Sequence, residues 1–233
     1  MPVIPTATLL RRLPPLPSGA RGEQARAELV EHDLAAAAWV YRIVDIEEMA
    51  SGWLTVGGER LYAPRLLPQG GRLTALGVGA CTLGPRIEQR VRELFHDRRP
   101  ALALALNDLG TELLFALARL AQDRLQAQAA ARGLTMSGEL HAGDPGLDLG
   151  AQPQVLRLAG ASAIGIGTTS GAQLTPGMSG TSVHGLGIDL PPTTWSRCDG
   201  CPSAAQCRAA TRRRANTAGD AQASMPLPDR APA

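Results

Sequence analysis

Trp53-Leu54-Thr55-Val56-Gly57-Gly58-Glu59-Arg60-Leu61-Tyr62 is the stretch on which the fold turns. Strand-forming residues on either side of Gly-Gly predict a β-hairpin, because two glycines accept the positive φ of a tight turn between antiparallel strands. Upstream, Val40 to Ile46 alternates and is β-branched, which predicts another strand. Glu23 to Trp39 is helical in composition. Downstream, Leu73 to Cys81 is an apolar strand-length run ending in Thr82-Leu83-Gly84-Pro85. A helix is expected there, with Ile87, Val91, Leu94 and Phe95 on one face. Pro100 opens the longest helix, in which Leu106, Leu109, Leu113, Leu117 and Leu120 recur at helical spacing and Gly133 is a natural C-cap. Leu134 to Leu140 reads as a strand, Pro153 to Leu158 as a short helix, and Ala163 to Ile188 as strand and loop. Helices and strands mix without a regular βαβ alternation. The pattern therefore predicts an α+β fold with a largely antiparallel sheet.

A chain of 233 residues, 44% hydrophobic and 19% charged, can bury one large core or two small ones. Residues 1–22 read as an irregular Pro-rich leader, 23–208 as the domain, and 209–233 as a polar, disordered tail. The formal charge of +2 and the lack of a basic stripe with interleaved aromatics argue against nucleic acid as a partner. Arg212-Arg213-Arg214 falls in the tail and reads as a solvated segment. All 23 basic residues are arginine, which removes Schiff-base chemistry and a phosphate-loop lysine. No secretory h-region and no run of about 18 apolar residues is read, so neither export nor a membrane span is expected. The expected location is the cytoplasm, where cysteines serve as thiols or ligands rather than disulfides.

Four constellations carry candidate chemistry. Cys198, Cys201 and Cys207 give a C-x2-C pair with a third thiolate, and Cys81 at the end of a predicted strand is a candidate fourth ligand. Such a set suits an iron–sulfur cluster or zinc, and a structural zinc knot is the plainer reading. Asp108 and Glu112 stand four apart on the long helix, so their carboxylates share a face; they suit a ribose diol or a cation, or simply a solvated surface. His141-Ala142-Gly143-Asp144-Pro145-Gly146, followed by Gln152, is a turn-rich loop able to present backbone N–H groups to a ligand. Pro176 to Gly187 is dense in Gly, Ser and Thr, yet Val183, Leu186 and Ile188 suggest a strand held close to something that excludes side chains.

In this order, the pieces resemble the activation (reactivation) domain of cobalamin-dependent methionine synthase, above all its short stand-alone relatives. The landmarks are Ala80-Cys81-Thr82-Leu83-Gly84-Pro85, Leu106-Asn107-Asp108-Leu109-Gly110-Thr111-Glu112, and Gly143 with Gln152. They continue with Pro176-x-x-Ser179 running to Gly185-x-Gly187, and Cys198-x2-Cys201-x5-Cys207-Arg208, covering about residues 40 to 208.

The resemblance implies an α+β domain with a central twisted antiparallel sheet and flanking helices, which binds S-adenosylmethionine and docks over the cobalamin of a corrinoid protein or cobalamin-dependent methyltransferase. Inactive Co(II) corrinoid would take an electron and then a methyl group from S-adenosylmethionine. Asp108 and Glu112 would contact the nucleoside or amino acid, and the loop with His141 and Gly143 would flank it. Gln152 belongs to the same landmark, and Pro176, Ser179 and Gly185 would lie against the ligand and corrinoid edge. The cysteine triplet is shared with the stand-alone branch alone, and as an iron–sulfur cluster it would relay an electron from a donor. Three positions depart from the pattern: Glu139 replaces an arginine, Ala142 a proline and Met178 a lysine. Glu139 and Met178 motivate an alternative, a non-enzymatic corrinoid-binding or electron-transfer module without the methyl donor.

Overall fold

The computed structural model describes residues 6–10 and 20–194. The chain runs through α1 (Thr6–Leu10), α2 (Ala20–Glu31), β1 (Ala38–Ala50), β2 (Trp53–Val56), β3 (Glu59–Tyr62) and β4 (Arg72–Thr82). It continues through α3 (Arg86–His96), α4 (Pro100–Ala131), β5 (Thr135–Leu140), α5 (Gln152–Ala159), β6 (Gly167–Thr168), β7 (Leu174–Thr175) and β8 (Ser179–Ile188). Six strands form one sheet in the order β3-β2-β1-β4-β8-β5, antiparallel throughout, and β6 and β7 form a small separate hairpin. The fold is α+β, as the strand and helix pattern predicts.

The hairpin forms as expected, with Gly57 and Gly58 at φ of +53° and +73° between β2 and β3. Gly133, at φ +70°, follows the last turn of α4. Three expectations change. The helix expected over 23–39 stops at Glu31, because Asp33 takes a φ of +44° and the Ala-rich run beyond it enters the core and then β1. Ala35 and Ala37 are buried there, and the Ala36 N–H donates to the Leu83 carbonyl at 2.8 Å. Phe95, expected on the inner face of α3, is half exposed, while Ile87 and Leu94 are fully buried. Residues 6–10 are helical rather than irregular, and Leu9 is buried in the main core.

Side chains of a strand alternate between the two faces of a sheet. One face meets α4: Ala75 and Leu186 pack with Leu125 and Ala129, and a Cβ at Gly77 would lie 2.8 Å from a Leu125 methyl. The opposite face meets α5, where Leu158 approaches Gly57 and Gln152 reaches Thr181 of β8. Helices α2 and α3 pack on α4, joining Leu29, Ile87, Leu94, Leu106, Leu113 and Leu117 in one apolar cluster with Cys81. Among the described residues, α4 is the one helix long and apolar enough to cross a membrane by length and composition. Sequence reading expected no such run; here its apolar face is the core of the domain.

An ion cluster ties α2 to α3. Glu28 accepts from Arg90 at 2.8 Å, and Arg99 and His32 lie 3.5 Å away. The Arg90 hydrogen bond holds the Glu28 carboxyl below its ordinary range. A depressed carboxylate contributes stability above its unfolded pKa and loses it as pH falls through the folded value. Glu28→Gln is therefore expected to cost about 1 kcal/mol at pH 7 and progressively less on acidification. Thermal unfolding of both proteins between pH 7 and pH 3 checks this, and a difference independent of pH would count against it.

Candidate functional site

Strand β8 organises the candidate residues. Its first residue, Ser179, is buried and donates to Thr82 Oγ1 on β4 at 2.8 Å. Thr82 in turn donates to the Met178 carbonyl at 3.3 Å and accepts from the Gly84 N–H at 3.0 Å. Two residues along the same face, Thr181 accepts from the buried Gln152 amide at 2.9 Å. Ser179 and Gln152, far apart in sequence, thus sit in one buried polar strip beneath the N-terminus of α5. Both are packed inside the domain, so these side chains hold the site's frame.

The segment before β8 is pinned from the other side. The Gly177 N–H donates to Glu88 of α3 at 3.0 Å, and the Leu83 N–H donates to the Met178 carbonyl at 2.9 Å. The Met178 side chain lies on α4 at Gly110, where a Cβ would come within 3.1 Å of its methyl. Gly110 falls between Asp108 and Glu112, but residues two apart on a helix point to nearly opposite sides, so the Met178 contact does not itself bring these carboxylates to the Pro176–Ser179 segment. Asp108 is exposed and Glu112 partly buried.

A third group lies at the β5 edge. Gly138, at φ +71°, marks a break in the β5–β8 register. Its N–H donates to the Thr193 hydroxyl oxygen at 2.6 Å, and its carbonyl faces His184 Nδ1 at 2.9 Å. Just beyond it, Glu139 and His141 meet at 2.8 Å, both side chains partly exposed. The loop then folds tightly: the His141 N–H donates to the Asp144 carboxylate at 2.9 Å, and Gly143, at φ +98°, donates to the Leu147 carbonyl at 2.9 Å. Its N–H groups are thus turned largely onto the loop itself. Leu147 is buried, and Arg65 holds the loop through the Pro145 carbonyl at 3.3 Å.

Two sequence readings take a different meaning. Gly185 and Gly187 of β8 are indeed where side chains are excluded, but the excluding atoms belong to the neighbouring strands. A Cβ at Gly185 would lie 3.0 Å from Leu73 and 3.1 Å from the Ser137 carbonyl, and one at Gly187 would overlap the Arg72 carbonyl oxygen. Cys81 lies opposite Gly180 within the main apolar cluster, 3% exposed. Desolvation pushes its thiol up to about 12, so with no metal beside it the thiol is protonated at neutral pH, as in a core residue. Cys198, Cys201 and Cys207 lie outside the described residues. Among the described residues no group of three His, Cys, Asp or Glu side chains could hold a metal ion.

Sequence reading missed Thr82, Thr181 and His184. The two threonines look like ordinary strand residues until the sheet pairs them with Ser179 and Gln152. His184 carried one signal, a titratable ring in an otherwise small and apolar strand.

No family model and no curated protein matches the chain. Among solved structures it is similar to the crystal structure of the MetH reactivation domain bound to AdoHcy. The TM-score is 0.54 at 9% sequence identity, over 82% of this chain and 67% of that one. At that identity the likeness is one of fold: the six-stranded antiparallel sheet with its flanking helices is the architecture of the MetH reactivation domain.

Proposed function

We propose that this chain is a reactivation module for a corrinoid protein, binding S-adenosylmethionine and presenting its methyl group to the cobalamin of a docked partner. The observation that carries the reading is the shared architecture with a domain solved with AdoHcy, over 82% of this chain. In the proposed reaction one electron reduces Co(II) to Co(I). The cobalt electron pair then attacks the methyl carbon, and the sulfonium S–C bond breaks to leave S-adenosylhomocysteine. Reduction alone is unfavourable; methyl capture in a docked complex draws it forward by making the transfer effectively unimolecular.

In this reading Asp108 and Glu112 on α4 face the nucleoside or amino-acid part of the ligand, with Pro176 and the loop of His141 and Gly143 at its sides. Ser179, Gln152 and Gly185 act by fixing β8. Cys198, Cys201 and Cys207 are proposed to hold an iron–sulfur cluster that passes on the electron, with zinc as the alternative metal. The partners are a corrinoid-binding protein or methyltransferase and an electron donor, in the cytoplasm. One observation favours the second reading, an electron-transfer or corrinoid-binding module without a methyl donor. Glu139 engages His141 at a position where the resemblance calls for an arginine.

Calorimetric titration of S-adenosylmethionine, with and without a cobalamin-loaded partner, is expected to give saturable one-to-one binding. No heat in either arm overturns the methyl-donor role. Reduction of the corrinoid by an iron–sulfur signal without S-adenosylmethionine supports the second reading. Metal analysis of anaerobically purified wild type and Cys198→Ser should find iron in the first and a loss of it in the second.

A further inference from the structure

His184 holds the one buried side-chain nitrogen or oxygen without a partner among the described residues, its Nε2. The ring is 1% exposed on β8, and its Nδ1 lies 2.9 Å from the Gly138 carbonyl. A carbonyl oxygen only accepts, so Nδ1 carries the proton of the neutral ring, the form that burial favours. Nε2 is then an acceptor that meets no donor. Protein interiors leave few such atoms unpaired, and one that persists calls for a donor from outside the chain. Glu139 and His141 are the electrostatic neighbours of this ring, the first favouring positive charge there and the second opposing it. The pair begins one residue beyond Gly138, whose carbonyl holds the ring, and meets at 2.8 Å with 30% and 25% of the two side chains exposed. The three do not form a metal site.

We propose that His184 Nε2 and the Glu139–His141 pair together bind the ammonium group of an amino-acid-bearing ligand. An ammonium offers three N–H donors and a positive charge: one donor meets Nε2, and the charge meets the Glu139 carboxylate. A carboxylate in the same place would find an acceptor and a like charge, so the site orients the ligand amine inward and its acid outward. The inference deepens the reactivation reading and rests on it, since S-adenosylmethionine and S-adenosylhomocysteine both carry such an ammonium.

The test uses the full chain with two probes, S-adenosylhomocysteine and its analogue lacking the amino group. Wild type is expected to prefer the amine by roughly tenfold or more, the scale of a hydrogen bond to a charged group. His184→Asn keeps a donor for the Gly138 carbonyl and deletes Nε2; Glu139→Gln removes the charge at a partly exposed position. Each is expected to bring the two affinities close together. In 15N-histidine spectra, the amine-bearing probe should shift the His184 Nε2 resonance and the deaminated one should not. Equal affinities in wild type, or a preference that survives in both variants, overturn the proposal and leave Nε2 to an internal water. Should His184→Asn fail to fold, Glu139→Gln and the spectra decide. If neither probe binds wild type, the reactivation reading itself falls and takes this inference with it.

Discussion

Leu113→Ala is expected to lower folding stability by about 3 kcal/mol, within the usual range for a leucine truncated in a packed core. Leu113 is fully buried in the middle of α4, in a cluster with Leu83, Ile87, Leu94, Leu106 and Leu117. That cluster joins α2, α3 and α4 and seats them on the sheet. The methyl groups lost take their burial energy with them, and neighbours fixed on three helices close the space only in part. For a unit of this size the drop corresponds to roughly 6–12 °C in Tm. Phe115→Ala, two residues on and 45% exposed, is the control and is expected to cost well under half as much. Similar losses for the two would mean that α4 is rotated from the orientation described. Because α4 also carries Asp108 and Glu112, ligand affinity in Leu113→Ala should be read only below its new transition.

Gly187→Ala should be comparably damaging, for a different reason. A Cβ there would overlap the Arg72 carbonyl oxygen and stand 2.8 Å from its carbon, both backbone atoms of the paired strand. A side chain can swing aside; a carbonyl in a ladder moves only with its strand. Adding one methyl therefore forces β4 and β8 apart near the register shift between Leu73 and Ala75, at a cost of about 3 kcal/mol. Gly58→Ala makes the contrast. Gly58 sits at φ +73°, and a methyl group added there would meet no atom within 4 Å, so the change costs only conformational ease, about 1 kcal/mol. Denaturant unfolding of both variants separates crowding from backbone strain, and equal losses would show that β4 and β8 are not so closely apposed. The consequence for the site is direct, since β8 carries Ser179, Thr181 and His184.

Much of the secondary structure was legible from residue order. The β2–β3 hairpin, the Pro100 start and Gly133 end of α4, and the buried series Leu106, Leu109, Leu113 and Leu117 follow from turn chemistry and periodicity. The same local rules overran at Ala35 to Ala37, where alanine's helix preference gave way to burial against Leu83. They also offered Cys81 as a candidate fourth ligand, and the structure places it in the main apolar cluster. Nothing local distinguishes a glycine that admits a ligand from one that admits a neighbouring strand, and Gly185 and Gly187 proved to be of the second kind.

The sequence by itself determined the kind and approximate place of most helices and strands, that the sheet is largely antiparallel, and which side of α4 is apolar, because each depends on residues within a few turns of one another. Only the tertiary structure decided that Thr82 meets Ser179 across 97 residues, that Gln152 meets Thr181, and that His184 is sealed against Gly138 with one nitrogen unpaired. Those outcomes depend on which strands lie side by side. Pairing between distant segments is chosen by the burial of the whole sheet, a sum that no short stretch of residues contains.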